Sequence, residues 1–397
     1  MGREMQWRYL MDIIRYSLSG GACPVMEGEP DWEYLYRICE NHRIGAMVYS
    51  GVEHMPQEHQ PPHTIMEKLQ KKRKLEIFRD EIQHASFLEL LDAFEEEGID
   101  CLPLKGIWMK QFYPDPSLRM MADLDILYRP EQEEKVHRVL LSKGYYWDHK
   151  DAKNNVYLRK PAISVEMHHM LMTEESGFCA YYETVWERAE LQEGKKFIYR
   201  FKWEDFYIFM VAHLLKHVRN GGSGIRSVVD IWMFMDEMEE ILDWTYVKKE
   251  LGKLRIEAFE RHIRKLADIW FHGEGSTEFY DTLTEFFVES GLYGNIKNHY
   301  VYQVMQEDKK KKNIRLAQIS VKMGVVFPPL TCMKRRYAWL ERYPALLPAA
   351  WLMRVLQTVF LKRGRASQVL QSATVEKNVL KKRQELFREL EVPLPQK

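Results

Sequence analysis

Cysteine is scarce in this 397-residue chain. The five present, Cys23, Cys39, Cys101, Cys179 and Cys332, are odd in number, scattered, and never spaced C-x-x-C. That usage argues against a disulfide framework or a cysteine-held zinc, and it fits a reducing compartment. No run of about 18 apolar residues exists, so no membrane-spanning helix is expected. The nearest approach, Pro344 to Leu361, is interrupted by Pro348, Arg354 and Gln357. Met1–Leu10 lacks the apolar stretch of a signal peptide. The expectation is a cytoplasmic protein.

Net charge is also missing, with 58 Lys+Arg against 58 Asp+Glu. The balance hides an asymmetry. Lys309 to Lys397 carry 20 Lys+Arg against 5 Asp+Glu, and residues 1–308 carry 38 against 53. A basic tail region beside an acidic body implies an anionic partner for the tail, or contact between the two parts. A solvated, lysine-rich helical surface is the plain alternative.

What is present is a folded protein. The apolar fraction is 46% and the aromatic fraction 13%, both ordinary for globular chains. The length exceeds one typical core and suits two or three.

The pattern along the chain divides it into four. Residues 1–63 read as short helices, followed by a loop at Pro56, Pro61 and Pro62. Thr64-Ile-Met-Glu67 has the form of a capping box. It opens a long helix ending at Gly98, with Leu75, Phe78, Ile82 and Ala85 as its apolar stripe. Ile99–Leu104 reads as a buried strand, then come Lys105-Gly106 and a helical stretch, Ile107–Phe112. Ala122–Tyr128 alternates as a strand, Pro130 opens a helix ending near Gly144, and Tyr145–His149 with Val156–Arg159 form a hairpin around Asn154-Asn155. Ala162–His168 alternates again. Residues 64–200 therefore read as a compact α+β unit with a mixed sheet. Residues 201–308 read as helices, with a flexible Asn220-Gly-Gly-Ser-Gly224 between the first two. Residues 309–397 form the basic helical region.

The chemistry concentrates at Arg119-Met-Met-Ala-Asp123-Leu-Asp125-Ile-Leu-Tyr128. On a strand, residues i and i+2 share a face. Asp123 and Asp125 therefore project together, while Leu124 and Ile126 enter the core. Paired carboxylates repel unless a cation lies between them, and they suit Mg²⁺ or Mn²⁺, hard ions that prefer oxygen. In Ile163-Ser-Val165-Glu-Met167-His168, Glu166 stands on the polar face with Ser164 and His168. If the two strands are neighbours, three carboxylates meet, enough to hold two ions about 4 Å apart for in-line phosphoryl transfer.

Leu104-Lys-Gly106, Arg119, Asp123-Leu-Asp125-Ile-Leu and Val165-Glu-Met-His168 together resemble the uncharacterised nucleotidyltransferase family of the DNA polymerase beta-like superfamily. The likeness extends over about 64–240, more weakly through His213-Leu-Leu-Lys-His217 and the Arg226…Asp230 helix. It implies a nucleotidyltransferase-like catalytic unit at 64–200, closed by the helical region at 201–308. It further implies that Asp123, Asp125 and Glu166 bind Mg²⁺ or Mn²⁺, with the third acid serving as base. One departure stands out: the usual Gly-Ser or Gly-Gly is Lys105-Gly106 here, with no serine after it. Gly106 still lets a phosphate approach backbone amides, and Lys105 adds a point charge.

Other candidates carry two readings each. Arg119 pairs with a phosphate or with Asp125, or else forms a salt bridge fixing its loop. His168 contacts substrate or is a hydrogen-bonded rim histidine. His213 and His217, four apart, have metal-ligand spacing but no third ligand, so a place in the cleft wall near the nucleotide, with Lys216 or Arg219 beside it, is preferred. Arg226 and Asp230 can pair with each other. Arg335, Arg336, Trp339, Arg342, Trp351, Arg354 and Lys362-Arg-Gly-Arg365 interleave cations with aromatics, a pattern for an anionic membrane surface or a nucleic acid, or for an ordinary helical cap.

The expected function is transfer of an NMP group from an NTP to an unidentified acceptor, with release of pyrophosphate. The alternative is a catalytically degenerate nucleotide-binding or scaffold protein on the same fold. A metal-dependent phosphodiester hydrolase is disfavoured, because only His168 offers a strand histidine ligand.

Overall fold

The computed structural model describes residues 2–273, 275–361 and 376–392. The motif Lys362-Arg-Gly-Arg365 and the side chain of Arg335 lie outside the described residues. Helices α1 (Arg3–Ser19), α2 (Trp32–His42) and α3 (Gly45–Val52) precede α4 (His63–Glu96). Then come β1 (Cys101–Pro103), α5 (Lys105–Met109), β2 (Leu124–Tyr128), α6 (Glu133–Ser142), β3 (Tyr146–Lys150), β4 (Asn154–Arg159) and β5 (Ile163–His168). A short α7 (Cys179–Tyr182) and the pair β6 (Ala189–Leu191) and β7 (Tyr199–Phe201) lead into helices: α8 (Trp203–Arg219), α9 (Ile225–Met238), α10 (Trp244–Leu254), α11 (Glu257–Phe271) and α12 (Glu278–Ser290). The chain continues through α13 (Ile296–Lys311), α14 (Ile314–Val326), α15 (Leu330–Arg336), α16 (Leu347–Leu361) and α17 (Lys377–Glu389).

The class is α+β, with a mixed five-stranded sheet ordered β1-β2-β5-β4-β3. Strands β2 and β5 run parallel at its centre, and the other neighbouring pairs are antiparallel. Parallel neighbours need a long crossover. Here α6 and the β3–β4 hairpin supply it. Alternation then sorts the side chains. Leu124, Ile126, Val165 and Met167 are buried in one core with Phe87, Leu90 and Phe94 of α4 and Val136 and Leu140 of α6. A second core joins Leu10 and Ile13 of α1 to Phe206, Phe234, Phe259, Val301 and Leu386 of the later helices. A small third core holds Met333, Tyr337, Leu340 and Ala350.

Several local expectations are corrected. No capping box forms at Thr64: Pro62 is the N-cap of α4, without a side-chain hydrogen bond. The stripe on α4 is largely displaced: Leu75, Phe78 and Ala85 are exposed, Ile82 packs partly buried against the core, and Gln83, Ser86, Phe87, Leu90 and Phe94 are buried. Ion pairs explain this. Arg73 reaches Asp115, and Lys110 reaches Asp80, so the polar side of the middle of α4 turns toward the protein. The stretch after β1 is a short α5 followed by a 3₁₀ turn, Lys110–Phe112. Asn154 and Asn155 are not a turn; they open β4 and are buried. The chain reverses just before them, because Asn154 pairs with His168 of β5 and its amide donates to Glu166.

In the glycine loop, Asn220 is exposed but Gly221, Gly222, Ser223 and Gly224 are buried rather than loose. The Asn295 amide donates to the Gly221 carbonyl at 2.9 Å. Gly222 has φ +105°, and a Cβ there would lie 2.1 Å from Ser290 Oγ. Only glycine permits this approach.

The absence of a spanning segment also needs revision. Ile314–Lys334, 21 residues, reaches the length and composition of one. Its helix is broken after Val326, at Phe327-Pro328-Pro329, since proline lacks the amide and restricts the residue before it.

Candidate active site

Register brings the acids together. Asp125 of β2 pairs directly with Glu166 of β5, and paired residues on adjacent strands point to the same face. Two residues along, Leu127 pairs with His168. His168 Nε2 lies 2.7 Å from Asp125 Oδ1 and 3.5 Å from Glu166 Oε2. Ligand atoms of Asp125, Glu166 and His168 all fall within 4.8 Å of one another. Asp123 stands just before β2, lining the same cavity but outside that group.

The cavity holds about 390 Å³, within the range of small-molecule sites. Acids occupy the sheet side: Asp123, Asp125 and Glu166. Lys105 of α5, Asp151 and Lys153 of the hairpin, Lys216 of α8 and Arg226 of α9 also line it. His213 and His217 line it too. On α8, positions 209, 213, 216 and 217 recur at helical spacing, so one stripe of that helix forms the wall.

Electrostatics within the cavity are strongly perturbed. Burial, then the charges of Asp125 and Glu166, push Asp123 up to about 7. Asp125 behaves oppositely. Burial acts to raise it, but the His168 hydrogen bond and charge outweigh that and hold its carboxyl below the usual range. Burial pulls Lys105 down to about 8 against the attraction of Asp230. Lys216 also falls to about 8, through burial and then the charges of Lys153 and Lys105. Burial, followed by Lys216, lowers His213 well below its ordinary value and His217 to about 3. Titratable groups perturbed in opposite directions within one cavity mark it as a candidate site.

The model of the family described as uncharacterised nucleotidyltransferase matches residues 28–272, more than half of the chain. The chain belongs to that family. Membership in this nucleotidyltransferase family is consistent with the DNA polymerase beta-like superfamily. Neither a curated protein nor a solved structure matches.

Of the residues singled out by sequence, Lys105, Gly106, Asp123, Asp125, Glu166, His168, His213 and His217 all line one cavity. Arg119 lines it too, and each of its three nitrogens has a protein partner. Its Nε and Nη2 donate to Asp230 at 2.8 Å each, and its Nη1 donates to the Gly106 carbonyl at 3.0 Å. The loop-fixing salt bridge expected of Arg119 forms, with Asp230 rather than Asp125 as its carboxylate. The expected Arg226–Asp230 pair does not form. Asp230 is taken by Arg119 and by the Tyr113 hydroxyl, and Arg226 instead donates to the Met120 carbonyl. Arg219 turns away from the cavity, donating to the Ser176 carbonyl at 2.9 Å. His213 and His217 face each other with Nε2 atoms 3.4 Å apart. Among the described residues, no acid completes a three-ligand set with them.

Sequence reasoning missed Lys153, Asn154 and Ser223 as cavity residues. Lys153 sits in a hairpin turn, where lysine carries no pattern. Asn154 was concealed by its neighbour, because two adjacent asparagines read as a turn.

Gly106 has a steric reason. A Cβ there would lie 2.8 Å from Met121 Sδ. The donor set of the acid cluster also bears on the metal. Carboxylates alone suit Mg²⁺, and adding the His168 imidazole shifts the preference toward Mn²⁺.

Proposed function

We propose that the chain is a metal-dependent nucleotidyltransferase that moves an NMP group from an NTP to an acceptor, with release of pyrophosphate. The observation that carries this reading is the direct Asp125–Glu166 pairing, opposed across one cavity by Lys105, Lys153, Lys216 and Arg226. Asp123, Asp125 and Glu166, with His168 oriented on Asp125, would hold Mg²⁺ or Mn²⁺, which screens phosphate charge and polarises the phosphoryl oxygens. Lys105 and Gly106, at the start of α5, take the phosphates from one side, and Lys216 and Arg226 take them from the helical side. An acceptor oxygen attacks the α-phosphorus as the bond to the β-bridging oxygen breaks. The acceptor proton passes to Glu166, which the Asn154 amide orients. His213 and His217, held neutral, close the cleft beside the nucleotide. The acceptor classes in view are a sugar phosphate, a small metabolite, a protein hydroxyl and a nucleic acid.

Calorimetry with ATP, GTP, CTP and UTP and either metal, on the native chain and on Asp125→Ala/Glu166→Ala, tests the donor site. A metal-dependent signal for one nucleotide, lost in the double variant, supports the reading and names the donor. Pyrophosphate release that requires Asp125 supports turnover.

A second reading is a degenerate nucleotide-binding protein. The observation favouring it is His168, whose Nε2 already sits between two carboxylates where a cation would be held. The absent serine after Gly106 points the same way. Nucleotide binding that needs no divalent metal and yields no pyrophosphate would establish this reading instead.

A further inference from the structure

A second surface, distant in sequence from the cavity, has its own chemistry. Nine of the 23 large apolar side chains that stand exposed among the described residues lie within 314–361. On α14, Leu316 (52%), Ile319 (56%) and Met323 (51%) are exposed, and Phe327 (40%) follows just past its end. Their spacing places them on one stripe, while Ala317 and Val321 on the other side are buried. Leu352 and Leu356 of α16 are exposed as well. The same 48 residues contain seven Lys+Arg and a single acid, Glu341. Arg315 and Lys322 flank the α14 stripe, seven residues apart.

We propose that α14 and the segment following it bind an anionic lipid bilayer, with α14 lying in the plane of the interface. Exposed aliphatic side chains rimmed by cations match a surface that is apolar beneath and negative on top. A nucleic acid would satisfy the cations and leave Leu316, Ile319 and Met323 in water, because its backbone offers no aliphatic surface. The unbroken helix suits an in-plane position better than a spanning one. The 13 residues of α14 cover about 20 Å, against about 30 Å of hydrocarbon. Beyond them the Pro328-Pro329 corner is clasped in place. Trp351 Nε1 donates to the Pro328 carbonyl at 2.8 Å, and Arg354 donates to the carbonyls of Val325 and Val326. Charge asymmetry sets the orientation. The acidic body is repelled by an anionic leaflet, and the basic end is drawn to it.

Flotation of the full chain with vesicles tests this, using phosphatidylcholine alone and phosphatidylcholine mixed with phosphatidylglycerol. The expected result is binding to the mixed vesicles only. It should weaken about thirtyfold in Arg315→Gln/Lys322→Gln, and be lost in Leu316→Ser/Ile319→Ser/Met323→Ser, whose exposed positions leave the fold intact by circular dichroism. Three results would overturn the proposal: no binding to either vesicle, undiminished binding by the triple serine variant, or binding to duplex DNA or RNA with none to vesicles.

Discussion

Arg119 and Asp230 are joined by two parallel hydrogen bonds of 2.8 Å, with both side chains buried. The pair ties the loop before β2 to α9, so it sets the distance between the acid-bearing strand and the helical wall. Burial of one such ion without the other is severely unfavourable. Arg119→Ala is expected to destabilise the fold by about 3–5 kcal/mol, read as the shift in urea midpoint. Arg119→Lys should recover part of this and no more, since an ammonium cannot make both bonds in the planar geometry. A midpoint unchanged in Arg119→Ala would refute the clamp.

The two neighbouring aspartates are predicted to differ in sign. Asp123 is crowded by Asp125 and Glu166, and Asp123→Asn should leave stability unchanged or raise it by about 1 kcal/mol through relief of repulsion. Asp125 holds His168 at 2.7 Å, and Asp125→Asn should lower stability by about 1–3 kcal/mol. Both substitutions should abolish metal-dependent nucleotide binding. Thermal melts beside calorimetry separate the two effects.

His42 links acid sensitivity to the glycine loop. Its Nδ1 accepts from the Ile225 amide at 3.1 Å, so the proton is on Nε2, which donates to the Val288 carbonyl at 2.8 Å. Burial holds its pKa down to about 4, against about 6.5 in an unfolded chain. The unfolded state then binds more protons between these values. Stability is complete above about pH 6.5 and declines as pH falls through 4, by at most about 3 kcal/mol. His42→Gln should flatten that part of the profile of unfolding free energy against pH. An unaltered slope between pH 4 and 6.5 in the variant would remove His42 as its source.

Gly222→Ala is expected to destabilise by about 1–3 kcal/mol, because its φ is +105° and its Cβ would meet Ser290 Oγ at 2.1 Å. Ser290→Ala in the same chain should recover only part of the loss, since it removes the oxygen and leaves the backbone strain. Equal melting temperatures for Gly222→Ala and the native chain would show that the loop can relax.

Alternation made the sheet and its acids legible. Ile163, Val165 and Met167 alternate with Ser164, Glu166 and His168, and a period of 2 assigns each set to one face without any tertiary information. The same logic failed on α4. Helical spacing picked out Leu75, Phe78, Ile82 and Ala85, of which only Ile82 packs against the core, because ion pairs from Arg73 and Asp80 turned a different side inward. Apolar periodicity records which residues can be buried together, and a charged partner elsewhere in the chain decides whether they are. Asn154 was misread for a related reason. Its local preference is for turns, and the hydrogen bond to Glu166 outweighs that preference.

By itself the sequence determined the α+β class, the family resemblance and the identity of the acids, because these rest on short-range periodicity and on motifs contiguous in the chain. Only the tertiary structure decided that Asp125 faces Glu166, that His168 lies between them, that Arg119 belongs to Asp230, and that Lys153, Lys216 and Arg226 converge on one cavity. Those relations join residues on different elements, some more than 100 positions apart. Strand register and helix packing set them, and neither is encoded in the spacing of any one segment.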